Sequence, residues 1–295
     1  MKWLFMLFGR LPLGLNHALG GMLGRLAWRF SGRHRHTLQT NINHYAAARQ
    51  LSPVATQQLL SQAIGEQGKA ITELTLAWTA SIARLNELVV PCQGWKYVEQ
   101  ALADKRPIIF VSPHLGCFDL AGRYIAGRQP ITALYRPPKQ AWLAPIMAAG
   151  RARGGATLAP ANASGVRMLL KTLKSGGSIM ILPDQVPASE NGGEGVWADF
   201  LGQKAYTMTL LPRLARAHHA AVLYCFAERL ENAHSYRVHI VPMAAPFSAD
   251  KMTAAQQTNA MVEKLIDMAP AQYLWGYNRY QRPAGAPPSP THTTE

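Results

Sequence analysis

From Gly94 onward the chain alternates short β-branched and apolar runs with segments whose apolar positions recur every three or four residues. Few folds accept that rhythm, because strands separated by helices pair in parallel, are buried on both faces and leave the helices as outer layers. The spacing predicts a helix over 96–105, a strand over 107–111, a helix over 120–126 and a strand over 131–135. A helix over 140–151, a short strand over 156–158, a helix over 164–174 ended by Gly176-Gly177 and a buried strand over 178–182 follow. Strands over 221–228 and 236–241 are close enough in sequence to pair antiparallel, and a helix over 253–267 comes last. The fold class is therefore α/β, with a mostly parallel central sheet flanked by helices over 94–282. The stretch 184–206, Gly-rich but carrying Trp197 and Phe200, is expected as a long functional loop.

Two segments precede this domain. Residues 31–93 read as a helical lead-in, with Ser52-Pro53 as cap and first turn before a run containing Leu59, Leu60, Ile64, Ile71, Leu74, Leu76 and Trp78. Residues 1–30 read as a hydrophobic, membrane-anchoring helix, and Arg10 and the want of a small-residue cleavage site argue that it is retained. Asn16, His17, Arg25 and several glycines make it a poor lipid-spanning helix, since about 20 nearly uncharged apolar residues are needed. An interfacial anchor, with Trp, Leu and Met in the acyl layer and Arg at the headgroups, fits better, though ordinary packing on the domain gives the same pattern. Residues 283–295 read as a disordered tail.

Charge sharpens that reading. Thirty Lys and Arg against 16 Asp and Glu give +14, which favours an anionic partner. No acidic residue occurs before Glu66, whereas Lys2, Arg10, Arg25, Arg29, Arg33, Arg35 and Arg49 all do. Such an end suits an anionic bilayer, at roughly 1 kcal/mol per basic residue near the surface. Cys92, Cys117 and Cys225 are far apart and in no metal-ligand spacing, so neither a disulfide framework nor a metal site is indicated.

In open α/β sheets ligands gather outside the carboxyl ends of the strands. Three such ends carry polar groups: His114 to Asp119, Tyr135-Arg136, and Asp184-Gln185, with Arg151 and Arg153 leading into the short strand between. His114 is the only histidine in the chain with an acid five residues on. Alone that is a weak signal; strand, turn and helix around it, with Gly116 allowing close approach, strengthen it. A neutral imidazole can take the proton of an attacking hydroxyl while a carboxylate fixes its tautomer, help typically worth about 10²–10⁴ in rate. Ser112 lacks a nucleophile-elbow context, so direct transfer to a bound acceptor is favoured over a covalent intermediate. Backbone N–H groups near Gly116, at the start of the next helix, are the expected oxyanion donors.

The residues also carry a resemblance. Ser112-Pro113-His114-Leu115-Gly116-Cys117-Phe118-Asp119, Tyr135-Arg136-Pro137-Pro138-Lys139, Arg151-Ala152-Arg153-Gly154-Gly155, Leu182-Pro183-Asp184-Gln185-Val186-Pro187, Gly195 to Gly202 and Tyr273 to Tyr280 occur in order. Together they resemble the lipid A biosynthesis (late, lauroyl/myristoyl) acyltransferase family, within the lysophospholipid acyltransferase superfamily. The resemblance implies a glycerolipid acyltransferase-like fold and an inner-membrane enzyme facing the cytoplasm. It implies transfer of an acyl chain from acyl carrier protein, as a thioester substrate and with no cofactor, to a hydroxyl of a Kdo-bearing lipid A precursor. By position His114 is then the base in an H-x4-D motif with Asp119 as its partner. Arg151 matches the family's active-site arginine and Asp184 the acid of its Pro-Asp-Gln motif. Arg136 is a phosphate or pantetheine contact, and Arg153 and Gln185 are substrate-binding neighbours. Asp119 stands where many members carry glutamate, which leaves a lysophospholipid, an ornithine lipid or another glycolipid as alternative acceptors.

Two other classes compete. A metal-dependent hydrolase lacks an H-x-H or H-E-x-x-H set. A basic membrane-surface or nucleic-acid-binding module remains, but aromatics interleaved with Lys/Arg, as nucleic acid requires, are missing, so no nucleic-acid partner is expected.

Overall fold

Strand β2 (Ile108–Val111) is buried along its whole length and contributes to two cores at once. Ile109 and Val111 face one layer of helices, Ile108 and Phe110 the other. Continuous β-branched and aromatic runs do this only at the centre of a sheet covered on both faces. The computed structural model describes residues 2–138, 140–187, 194–230 and 235–290.

The elements in chain order are α1 (Lys2–Phe8), α2 (Leu13–Phe30), α3 (Gly32–Ala48), α4 (Pro53–Thr79), α5 (Ile82–Glu87), β1 (Val89–Gln93), α6 (Lys96–Ala103) and β2. Then come α7 (Phe118–Ala126), β3 (Ile131–Tyr135), α8 (Ala144–Ala152), β4 (Ala156–Pro160), α9 (Ala163–Lys174) and β5 (Ser178–Ile181). The chain continues with β6 (Gly195–Phe200), β7 (Gln203–Met208), α10 (Leu210–His218), β8 (Ala221–Leu230), β9 (Ser235–Pro242) and α11 (Lys251–Met268). The main sheet runs β1-β9-β8-β2-β5-β3-β4, every neighbouring pair parallel except β8 with β9. The expected mostly parallel α/β architecture is what forms.

Three local expectations change. Residues 195–208 are not loop but the β6–β7 hairpin, closed by Leu201 and Gly202, both at positive φ, as a two-residue hairpin turn requires. Its inner face, with Ala198, Phe200 and Ala205 buried, packs largely on α11. Residues 188–193 of that expected loop lie outside the described residues. The lead-in segment contains an edge strand, β1, whose Pro91 is tolerated because an edge leaves one side of the backbone unpaired. Of the tail, Ala286 is buried near Trp197 and Tyr206, Arg282 donates to its carbonyl, and Trp197 donates to the carbonyl of Pro287; residues 291–295 lie outside the described residues.

The first 30 residues form two helices rather than one. Helix α2 lies against α4 along glycines: a Cβ on Gly68 would stand 1.9 Å from the carbonyl oxygen of Gly20, and one on Gly24 2.2 Å from that of Ile64. Only hydrogens fit there. The α2 face is thus packed, yet Leu15, Met22, Leu23, Leu26 and Phe30 remain exposed, as do Trp3 and Leu7 on α1. Among the described residues no helix is long and apolar enough to cross a membrane. Ser52 caps α4 by accepting from Ala55 N–H, with Pro53 at its first position.

Candidate active site

The carboxyl ends of β2, β3 and β5 open beside one cleft of about 620 Å³, lined by His114, Arg136, Arg151, Gln185, Arg167 and Arg213 among apolar neighbours. His114 follows β2 directly. Its imidazole, with 14% of its side-chain surface exposed, donates from Nδ1 to Oδ1 of Asp184 at 2.8 Å, and its backbone N–H donates to Oδ2 at 2.8 Å. With Nδ1 carrying the proton, Nε2 is left as the acceptor and receives the Gln185 amide at 3.2 Å. Burial pushes the Asp184 carboxyl up, but its electrostatic attraction to the His114 ring and the two hydrogen bonds it accepts from His114 outweigh that and hold it below the usual carboxylate value.

The sequence predicts His114 beside Asp119; the structure pairs His114 with Asp184 instead. Asp119 sits in the first turn of α7, buried, and turns both oxygens to Arg151: Nε to Oδ1 at 2.6 Å and Nη2 to Oδ2 at 3.0 Å. Arg151 lies 6.0 Å from the ring centroids of both Trp78 and Tyr135. Burial alone would lower the guanidinium pKa, but Asp119 raises it above its ordinary value. The five-residue spacing misled because Asp119 is already on the helix, whereas Asp184, 70 residues after His114, follows the neighbouring strand β5. Asp119 still borders the site through Arg151, which lines the cleft.

Arg136 and Gln185 join His114 at the cleft. Arg153 does not: it is exposed and donates to the Thr79 carbonyl at the end of α4. Arg167 on α9 and Arg213 on α10, which line the same cleft, escaped the sequence reading because they occupy the polar stripes of amphipathic helices. Among the described residues no group of three or more His, Cys, Asp or Glu could hold a metal ion.

The turn after His114 is bolted from outside. Gly116 has φ of +57°, and a Cβ there would stand 2.0 Å from the Ala227 carbonyl oxygen, so only glycine fits. Gly116 N–H donates to Gln272 O at 3.1 Å and Cys117 N–H to Ala227 O at 2.8 Å. Those two amides, expected to hold an oxyanion, are therefore already engaged in structure. The segment after α11 closes the other side: Leu274 N–H donates to His114 O at 2.9 Å, and Tyr277 Oη accepts from Val186 N–H at 3.0 Å.

A histidine hydrogen-bonded to a buried carboxylate, a cationic rim and a partly apolar cleft thus lie together at the carboxyl ends of a mostly parallel sheet covered on both faces. Comparison with known proteins defines the class. The bacterial lipid A biosynthesis acyltransferase family matches residues 2–282, and the chain belongs to that family. It is 26% identical over 284 residues to the lipid A biosynthesis lauroyltransferase of Escherichia coli, covering 94% of this chain and 89% of that one. It is equally, at 26%, identical to the E. coli lipid A biosynthesis palmitoleoyltransferase, covering 96% of this chain and 90% of that one. A lipid A biosynthesis acyltransferase of Haemophilus influenzae is 24% identical over 278 residues, 92% and 83% of the two chains. The family supports acyl transfer in lipid A biosynthesis as the activity, with a lipid as acceptor. Equal identity to relatives named for different acyl chains carries no preference between them.

Proposed function

We propose that the protein transfers a fatty acyl chain from acyl carrier protein to a hydroxyl of a Kdo-bearing lipid A precursor, with His114 as general base. The observation that carries this reading is the hydrogen-bonded relay Asp184–His114 with Nε2 directed to the cleft. An acceptor hydroxyl displacing the Gln185 amide from Nε2 would lose its proton to the imidazole as its oxygen attacks the thioester carbonyl. The imidazolium so formed is stabilised by Asp184 and returns the proton to the departing thiolate, so atoms and charge balance without a covalent enzyme intermediate. Arg136, Arg167 and Arg213 suit the anionic parts of donor or acceptor. Arg151, held by Asp119, contributes positive charge beside the reacting carbonyl.

The same reading places the protein on the cytoplasmic face of the inner membrane, lying on the bilayer. Trp3 and Phe30 are 83% and 78% exposed, on helices joined by a turn that carries Arg10, and α2 also carries the exposed Arg25 and Arg29, the composition of an interfacial rather than a spanning anchor. The test of the chemistry is purified His114→Ala protein with acyl carrier protein thioester and Kdo-lipid IVA: transfer is expected to vanish while fold and vesicle binding persist. Transfer at the wild-type rate would overturn the mechanism. Mass spectrometry of lipid A from cells with and without the protein reports acceptor and chain length together, and an unchanged lipid A with altered phospholipid would move the reading to a lysophospholipid acceptor.

A further inference from the structure

The end of β8 and the middle of α4 meet in a buried cluster of charges that the proposed chemistry does not use. Arg229, 4% exposed, donates from Nε and Nη2 to the two oxygens of Glu73 at 2.9 and 2.6 Å, and from Nη1 to Glu66 at 2.9 Å. Glu73, 1% exposed, also accepts from Tyr236 Oη at 3.1 Å and lies 3.6 Å from Nε2 of His17 on α2. Burial pushes the Glu73 carboxyl up, yet Arg229 and His17 bring it down to about 2, so the pair is charged at neutral pH.

A buried ion pair is a poor source of net stability, because desolvating two charges costs several kcal/mol per ion and apolar residues of the same volume often do as well or better. This pair does something apolar residues cannot. The Nη2 that holds Glu73 also donates to the carbonyl of Gly116 at 3.0 Å. That carbonyl is two residues after His114 and three before Asp119, inside the turn whose amides are fixed by Gln272 and Ala227. Gln272 is itself locked to Arg229, accepting from its N–H at 2.8 Å and donating to its carbonyl at 2.9 Å. The turn is therefore gripped on both its N–H and its C=O sides by one residue and its neighbour. A misplacement of about 1 Å at such a turn is enough to cost on the order of 10²-fold in rate.

We propose that Arg229 is a positioning residue: held by Glu73, its guanidinium fixes the Gly116 carbonyl and so sets where His114 and Asp119 stand relative to each other and to the cleft. The inference rests on His114 being the base, and the His114→Ala assay decides that point separately. It is tested with the double variant Arg229→Met/Glu73→Met, which removes both charges and leaves no buried ion unpaired at that contact. The melting temperature is expected to stay close to wild type while kcat, taken per folded molecule, falls about 100-fold and KM for the acceptor changes less than about threefold. Loss of folded material alone leaves a kcat so defined unchanged. A folded double variant with wild-type kcat overturns the proposal. Should the double variant not fold, Arg229→Lys decides it. One ammonium can hold Glu73 but lacks the planar fork that reaches Gly116 O as well, so kcat is expected at least about tenfold down in fully folded protein; wild-type kcat there overturns the proposal.

Discussion

Replacing Asp184 by asparagine separates the two carboxylates that compete for the role of partner to His114. The carboxylate accepts two hydrogen bonds from one residue, from the backbone N–H and from Nδ1, each at 2.8 Å. An asparagine keeps one acceptor and presents one NH₂. If the carbonyl oxygen stays on the backbone N–H, the NH₂ faces Nδ1 and must find a lone pair there, which moves the imidazole proton to Nε2. The lone pair that would accept the substrate proton is then gone. An enzyme losing its tautomer in this way loses roughly 10⁴ in kcat, about 5.4 kcal/mol of transition-state stabilisation. Stability suffers less: one buried charge-assisted bond is exchanged for a neutral one, about 2 kcal/mol, or roughly 4–8 °C in Tm.

Acid should narrow that stability gap. The folded pKa of Asp184 is depressed, so its stabilising contribution is complete above the ordinary carboxylate value and is lost as pH falls through the lower folded value. Wild type and Asp184→Asn should therefore differ in Tm at neutral pH and converge in acid. The assay is single-turnover acyl transfer with purified protein, alongside melting curves from neutral pH downward. An Asp184→Asn protein that is folded and transfers within about threefold of the wild-type rate would refute the argument and return the role to Asp119.

Two further outcomes follow from the same geometry. Asp119→Asn leaves the imidazole relay intact but strips a partly buried guanidinium of its bidentate partner, so it should destabilise by about 3 kcal/mol and slow transfer less than Asp184→Asn does; steady-state kinetics and melting of the two variants in parallel check the ranking. Trp3→Ser/Leu7→Ser/Phe30→Ser changes only exposed side chains, so Tm should hold while binding to anionic vesicles drops by at least about 100-fold, since each large apolar side chain that enters the acyl layer is worth about 1.5–3 kcal/mol; flotation with vesicles in low and high salt measures it, and undiminished flotation would show that these residues are not the anchor.

The sheet was legible because its strands are short apolar runs set between helical patterns, a code written in local periodicity. The hairpin β6–β7 was not, because its strands carry Asp199 and Lys204 on the outer face and its turn uses Leu201 at positive φ, where glycine or asparagine is the usual signal. Strand β1 hid inside a helical stretch for the same kind of reason: five residues with Pro91 among them look like a connection until β9 pairs with them. At the site the types of residue were read and one partnership was not. His114, Arg136, Arg151 and Gln185 do converge, each at a strand end or a helix end that the pattern located. Which carboxylate meets the histidine depends on the order of strands in the sheet, and β2 beside β5 is a fact of topology rather than spacing.

The charges show the same division at a larger scale. Sequence distribution exposed the acid-free N-terminus, and the first acids after it, Glu66 and Glu73, looked like ordinary polar positions of α4. They are instead the anions that hold Arg229, which is reached only after 156 further residues from Glu73. Three carboxylates, Glu73, Asp119 and Asp184, thus each bind a group at the cleft or one step behind it: an arginine on the Gly116 carbonyl, an arginine at the cleft wall, and the imidazole itself. A turn held on both its N–H and its C=O sides and an imidazole with one available tautomer are the consequence, and both depend on pairings that only the folded sheet brings within about 3 Å.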